Sequence, residues 1–417
     1  MTEIEERLEE LRAQGLYRRM RLVSGPQGPR VLVDGRPALL LCSNNYLGLA
    51  DHPRVREAAA DAAMRWGAGA GASRLVSGNM TIHRRLEKQL ADFEATESCL
   101  LFGSGYLANL GIVGALARRG DVVFSDERNH ASIVDGCRLA SAETFIYDHC
   151  DLGHLEWGLR EASGRGSLIV TDAVFSMDGD VAPLAEILEL ARRYDARLMV
   201  DEAHAIGAVG PGGRGATAAA GLEGEVDVIV GTLGKALGSY GAYACCDGAM
   251  ARYLVNTARS LIFSTALPPP AVAAGLVALE LLRGEPRRVD RLQRNARVLR
   301  DALAGEGLAV TASPTQIVPL LVGDADLAVD ISERALERGV FAQAIRPPSV
   351  PPEGSRLRLT VMASHTEAEL RAGARALAAA IAATGRQPEP RVFDGNAGRV
   401  ARSDAARGLR GELVEAA

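Results

Sequence analysis

Cysteine is scarce in this 417-residue chain, with six residues, Cys42, Cys99, Cys137, Cys150, Cys245 and Cys246, and no CxxC pair among them. That count and spacing argue against a thiolate zinc centre and against a disulfide scaffold. No run of about 18 apolar residues occurs, so no membrane span is expected. The opening MTEIEERLEELRAQ is acidic and amphipathic. It lacks the basic start, apolar stretch and small-residue cleavage site of a secretory leader. Positive charge is not in excess either: Lys+Arg is 47 against Asp+Glu 52, a formal net charge of −5. A general nucleic-acid binder is therefore not expected. Apolar residues are not lacking, since 47% hydrophobic and 24% charged is ordinary for a globular protein and excludes disorder as its main character. At about 150 residues per domain, two or three domains are expected. The composition as a whole points to a reduced, cytoplasmic α/β protein with no metal centre.

Residues 2–22 carry Ile4, Leu8, Leu11 and Leu16 at near-helical spacing, up to the Gly/Pro stretch Ser24 to Pro29. Val31–Val33 and Ala38–Cys42 flank Asp34-Gly35 and predict a hairpin. From residue 54 helical stretches (54–66, 80–94, 106–118, 131–140, 183–194, 270–283) alternate with short apolar runs. Those runs are Cys99–Phe102, Val122–Phe124, Thr144–Tyr147, Leu168–Thr171, Leu198–Val200, Val228–Val230 and Ala242–Cys246. Being continuous rather than alternating, they suit strands buried on both faces. The expectation is a doubly wound, mainly parallel sheet of about seven strands. A smaller α+β domain follows from about 286, with a helix near 287–305, strand-like runs at Gln316–Val322 and Arg356–Val361, and helices near 325–338 and 366–383. The domains are thus expected as an N-terminal segment 1–45, a large domain 46–285, a small one 286–385 and a weakly ordered tail 386–417.

GAGAGAS (67–73) holds GxGxxA, but a dinucleotide fingerprint needs a strand before it, and a helical stretch precedes it here. A helix end, or close backbone approach, is the better reading. Asp201-Glu202-Ala203-His204 invites a helicase reading, which needs GxxxxGK[ST]. The nearest segment, GTLGKALG (231–238), follows instead of preceding and has Ala236 where the hydroxyl belongs. More informative is position: Asp201 closes one strand, His204 follows it, and Lys235 lies just past another, between Gly234 and Gly238. A lysine so placed can condense with an aldehyde cofactor, and a carboxylate at the neighbouring strand end can hold a pyridinium proton. Taken singly, a surface lysine and a helix-capping aspartate explain them as well. Gly103-Ser104-Gly105-Tyr106 opens a helix after a strand, a plausible phosphate cradle. His130 follows Val122–Phe124 by a short loop, where an imidazole can stack on a flat ring.

Together these segments carry a family signature. Asn44-Asn45-Tyr46-Leu47-Gly48-Leu49, GASRLVSGN (71–79), His83, FGSGYLAN (102–109), RNHASI (128–133), FSMDGD (175–180), VDEAHAIG (200–207), GTLGKALG, FSTALPP (263–269) and IRPPSVP (345–351) resemble the α-oxoamine synthases. These are pyridoxal-phosphate enzymes of fold type I, the aspartate-aminotransferase-like fold. The resemblance spans roughly residues 15–385 and implies a large seven-stranded domain plus a small α+β domain. It implies Lys235 as the lysine that holds the cofactor, Asp201 as the partner of its ring nitrogen, His204 as a contact of its O3′, and His130 as the stacking ring. Gly105, Tyr106, Thr232 and, from a second subunit, Thr265 resemble phosphate contacts, and Ser176 a further cofactor contact. Arg346, with Ser349 nearby, resembles the holder of the amino-acid carboxylate. Asn45 lies in a substrate-binding segment, and Arg18 resembles an N-terminal substrate arginine, with Arg19 the competing choice. Asn45 and Asp172 stand where the family often has Asp and Glu. IRPPSVP followed by RLRLTVMASHT is most similar to the members that join L-alanine to a pimeloyl thioester, on coenzyme A or a carrier protein, in biotin synthesis. The alternative is another member, such as one joining glycine to an acetyl thioester. A homodimer is implied.

Overall fold

A computed structural model describes residues 2–311, 313–386 and 388. The tail expected to be weakly ordered lies, but for Arg386 and Pro388, outside the described residues. The chain forms two compact units. Among the described residues one unit runs through Gly48, takes in Met177–Gly179 and resumes at Asp290. The other comprises Leu49–Ser176 and Asp180–Val289. Residues 2–48 and the described residues from 290 onward thus share a unit, a grouping that no linear division expresses.

The larger unit is built on seven strands: β1 (Ser98–Phe102), β2 (Val122–Asp126), β3 (Glu143–Tyr147), β4 (Ser167–Asp172), β5 (Arg197–Asp201), β6 (Val228–Thr232) and β7 (Ala242–Cys246). Their order is β1-β7-β6-β5-β4-β2-β3. All neighbours are parallel except β7, which is antiparallel to both β1 and β6. The continuous apolar runs are wholly buried in β2, β4 and β7, as strands sandwiched between helices must be. One core gathers Phe102, Ile112, Val123, Ile133, Val170, Met199 and Val230. The chain leaves β2 toward β3 on one side and β4 toward β5 on the other. Connections therefore diverge at the β2–β4 seam, where open α/β sheets place their ligands beyond the carboxyl ends. Gly67, at φ 87, ends the helix Pro53–Trp66, so the GxGxxA segment is a helix terminus. Helices Leu152–Glu161 and Gly248–Thr257 are additional to those read from the sequence.

In the smaller unit, Arg30–Val33 and Arg36–Leu40 form the expected hairpin, with Asp34 and Gly35 both at positive φ, as a two-residue turn requires. Val23–Ser24 extends it on one edge and Val340–Phe341, in parallel, on the other. A second sheet orders Ile317–Gly323, Ser355–Thr360 and Gln343–Ile345 antiparallel. The N-terminal helix departs from expectation: it spans only Glu3–Ala13, not residues 2–22. Gly15, at φ 65, ends it, and a Cβ there would stand 2.3 Å from Asp326 Oδ1.

Candidate active site

Four strands of the large unit deliver polar side chains at their carboxyl ends. Asp201 is the last residue of β5 and is buried. Its Oδ2 accepts from Asn109 Nδ2 at 2.7 Å and its Oδ1 from the Ala203 amide at 2.8 Å. Both oxygens are thus fixed, and the carboxylate has one orientation. His204, three residues on and also buried, holds its Nε2 2.8 Å from Lys235 Nζ. Lys235 lies in the turn after β6. There Thr232 Oγ1 donates to Gly241 O at 3.1 Å and accepts from the Gly234 amide at 3.2 Å. Gly238 closes this turn at φ 59, and a Cβ on it would lie 2.3 Å from the Ala50 amide nitrogen. Only glycine meets both demands.

His130 caps the helix Ala131–Leu139. Its amide donates to Asp172 Oδ2 at 2.7 Å, tying the loop after β2 to the end of β4. Its Nδ1 lies 2.7 Å from Ser132 Oγ. Loss of solvation and the nearby charge of Lys235 hold the His130 pKa below the ordinary 6.5, so the neutral ring is favoured at pH 7. Burial, and then repulsion from Asp201, push the Asp172 carboxyl well above the usual range. The cluster therefore brings two carboxyl groups, two imidazoles and one amine to the carboxyl ends of neighbouring strands, and two of them, His130 and Asp172, are displaced from their ordinary titration ranges, as is common at reactive sites.

Ser104 opens the helix Gly105–Leu116 by accepting from the Leu107 amide at 3.2 Å. The first amides of that helix, at Gly105 and Tyr106, lie at the positive end of its dipole. The Tyr106 hydroxyl donates to Asp135. Ser176 sits in the segment after β4, which folds back through the Phe175 amide to Asp180 O, 3.0 Å. Thr265 is exposed and pairs with Ser73 in an isolated bridge. In the smaller unit, Arg346 donates to the carbonyls of Gly15 and Tyr17, and Arg18 to Pro347 O at 3.1 Å. Arg346 and Arg18 are neighbours: burial, then the charge of Arg18, lowers the Arg346 pKa. Arg19 faces Glu333 instead, at 3.9 Å. Ser349 is exposed, its amide on Arg346 O at 3.1 Å, and Asn45 is buried, donating to Gln27 O at 2.9 Å.

Two residues that shape the cluster were not singled out as site residues from the sequence. Asn109 looks like one polar residue in an apolar helix, and only the fold shows it bridging Asp201 and Ser132 Oγ, the latter at 2.8 Å. In the sequence Asp172 stands at a strand's carboxyl end and departs from a family pattern, but neither assigns it a role. Its closing position in a buried strand, shared with Asp201, was the available signal.

A doubly wound sheet with a lysine, a fixed carboxylate and two imidazoles at its carboxyl ends defines the aminotransferase class of folds. The model of the family described as aminotransferase class I and II matches residues 36–377. The 8-amino-7-oxononanoate synthase of Citrifermentans bemidjiense is 52% identical over 369 residues, 88% of this chain and 94% of its own. That of Geobacter metallireducens is 53% identical over 380 residues, 90% and 97% of the two chains. Among solved structures, a serine palmitoyltransferase from S. paucimobilis with bound PLP–myriocin superposes with a TM-score of 0.87 at 31% identity, covering 92% of this chain and 98% of that one. The 8-amino-7-oxononanoate synthase of Francisella tularensis superposes with a TM-score of 0.72 at 26% identity, covering 84% and 99%. The chain belongs to the class I and II aminotransferase family, and these synthases are among the proteins it resembles.

Proposed function

We propose that this protein catalyses the decarboxylative condensation of L-alanine with a pimeloyl thioester, on coenzyme A or a carrier protein, giving 8-amino-7-oxononanoate, carbon dioxide and free thiol for biotin synthesis. The observation that carries this reading is the contact of Lys235 Nζ with His204 Nε2 at 2.8 Å beside the doubly bonded Asp201, in a chain about half identical to synthases of that name. The donor set fits pyridoxal phosphate: an amine for its aldehyde, a buried carboxylate for its ring nitrogen, and a helix N-terminus for its phosphate. When bound, that group supplies an electron sink for the carbanion at the amino acid's α-carbon.

The chain's own residues do the rest. Lys235 holds the cofactor and, once released from it, takes the α-proton on Nζ as general base and later returns it. His204 steadies that amine and reaches the cofactor's phenolic oxygen. Asp201, held by Asn109 and Ala203, would be the carboxyl partner of the ring N–H. His130, neutral, offers a flat face. Gly105, Tyr106 and Thr232 serve the phosphate, with Ser176 a further contact. Arg346 and the adjacent Arg18 supply paired guanidinium donors suited to a carboxylate, with Asn45 and Ser349 in the same unit completing the substrate contacts. The active form is a homodimer, Thr265 completing the phosphate site of the other copy, and the reaction is placed in the cytoplasm, in keeping with six free cysteines.

The test is a near-visible absorption spectrum of the purified protein incubated with pyridoxal phosphate, titrated with single amino acids. L-alanine should perturb the cofactor band while glycine and serine barely do, and Lys235→Ala should abolish turnover with pimeloyl-CoA and remove the resting band. A response to glycine or serine instead would move the protein to another substrate of the family. Full activity in Lys235→Ala would end the reading.

A further inference from the structure

Outside every motif assigned to the candidate site, His149 lies between two carboxylates. Its Nδ1 is 2.9 Å from Asp126 Oδ1 and its Nε2 2.6 Å from Asp180 Oδ2. An ionised carboxylate offers only acceptors, so an imidazole bonded to one at each nitrogen must carry both protons. The ring is therefore a cation, and its side chain is only 12% exposed. Burial opposes that charge, but the hydrogen bonds to Asp126 and Asp180 outweigh it and hold the His149 pKa up at about 12.

Each arm ends on a loop that carries a proposed cofactor contact. Asp126 closes β2, four residues before His130. Its Oδ1 also accepts from the Arg128 amide at 2.8 Å, and its Oδ2 from the Cys150 amide at 2.9 Å. The Asn129 amide donates to Asp126 O at 3.1 Å, so this residue organises the whole 126–130 turn. On the other side, Asp180 O accepts from the Phe175 amide at 3.0 Å, and Val174 bridges Val181. The His149 ring also meets the Phe175 ring edge-on, centroids 4.4 Å apart. Ser176 is the next residue. Cys150 takes φ 54, an unfavourable conformation for a residue with a Cβ. That strain persists because the contacts of His149 and of the Cys150 amide over-determine it.

We infer that His149 is a positioning residue, an imidazole bonded at both nitrogens that fastens the His130 loop to the Ser176 loop and so sets the spacing of the two proposed cofactor contacts. This rests on the cofactor reading above. The groups facing the ring are Asp126, Asp180, the Cys150 thiol and the Phe175 ring; Asp126, His149 and Cys150 also offer one metal-ligand atom each within 4.8 Å of one another. A bound metal is the competing explanation, and the chelator arm of the experiment below decides between the two.

The experiment uses the full-length protein with and without pyridoxal phosphate. In the cofactor-free state, His149→Gln should speed amide hydrogen exchange in both segments, 126–130 and 173–180. Asp180→Ala, which removes one arm at a partly exposed residue and so spares the fold, should speed only the second. In the loaded protein both variants should bind pyridoxal phosphate more weakly, His149→Gln by about tenfold or more, with kcat falling further than the KM for L-alanine rises, as expected when reacting groups are misplaced. His149→Lys, which keeps a cation between the carboxylates, should recover part of the loss. Unchanged exchange and unchanged cofactor affinity in both variants, with the wild type binding the cofactor normally, would overturn the inference alone. So would a stoichiometric metal whose removal by a chelator reproduces the His149→Gln behaviour. Faster exchange in a protein that never binds the cofactor would uphold the fastening and sink the functional reading instead.

Discussion

Asp201 and His365 show two ways in which a polar group is accommodated in this protein. Asp201 is buried with both oxygens bonded, to Asn109 and to the Ala203 amide, so its polar atoms are satisfied by donors. His365 is also buried, at 3% exposure, but its Nδ1 accepts from the Met362 amide at 2.9 Å, so that nitrogen must stay unprotonated. Burial, with Glu369 opposing, pulls its pKa from 6.5 down to about 4. The folded value lies below the unfolded one. Between about 6.5 and about 4 the unfolded chain therefore takes up a proton that the folded chain refuses. The stability contributed by the neutral ring is present above 6.5 and lost as pH falls through that window, by about 3 kcal/mol at most. In His365→Asn the amide oxygen can accept from Met362 in place of Nδ1. That variant should be somewhat less stable at pH 7 yet lose less between pH 7 and 4.5, measured by urea unfolding of the cofactor-free protein. Parallel pH slopes for variant and wild type would show that another group sets the acid limit.

At the scale of elements, the site depends on how closely β6 and β7 approach. Gly231 of β6 stands opposite Tyr243 of β7, and a Cβ on Gly231 would come within 2.2 Å of the Tyr243 ring. The Tyr243 hydroxyl donates to buried Glu94 at 2.7 Å, so the ring cannot swing away without breaking that bond. Burial first, then Glu202, pushes the Glu94 pKa up to about 8, which favours a neutral acid beside that ring. Gly231→Ala should cost about 1–3 kcal/mol by overpacking and, by shifting Thr232 and the Lys235 turn, lower turnover more than stability alone explains. Gly114→Ala is the control: nothing lies within 4 Å of its added Cβ, and alanine favours a helix over glycine by about 1 kcal/mol. Thermal melts and kcat of the two variants check the argument; equal behaviour would refute it. The strands themselves were legible to within one or two residues, because burial on both faces imposes unbroken apolar runs. The strand order was not, since the antiparallel insertion of β7 between β1 and β6 leaves no periodic trace. Val340–Phe341 and Gln343–Ile345 are too short to show a period at all. In the site, Lys235, Asp201, His204 and His130 stood out by their places at strand ends. Asn109 and His149 did not, because their partners lie 92 residues away in one case and 23 and 31 in the other.

For the molecule as a whole, the surface of the larger unit carries an unfinished feature. Met64, Val76 and Phe263 are 88%, 78% and 71% exposed, and Leu75 and Trp66 are exposed as well. The segments bearing Val76 and Phe263 are joined locally, by the Ser73–Thr265 bridge and by the Ala266 amide on Ala72 O at 3.0 Å. Exposed apolar side chains scattered singly need no explanation, but a group on adjoining segments marks a surface that another surface covers. Thr265, a proposed phosphate contact of the partner's site, sits two residues from Phe263 in that same segment. The homodimer proposed above would account for both facts. Obligate homodimers bury about 2,000 Å² or more and are apolar at their centres, which these residues would supply. Sedimentation should therefore find a species of twice 44.0 kDa at micromolar concentration. Val76→Glu with Phe263→Glu should shift it toward the monomer, and with it reduce cofactor retention, since each site would lose the neighbour's Thr265. Thr265→Ala should weaken cofactor binding while leaving the dimer intact. A wild-type monomer with full activity, or a dimer indifferent to the double charge substitution, would show that these apolar side chains serve some other contact.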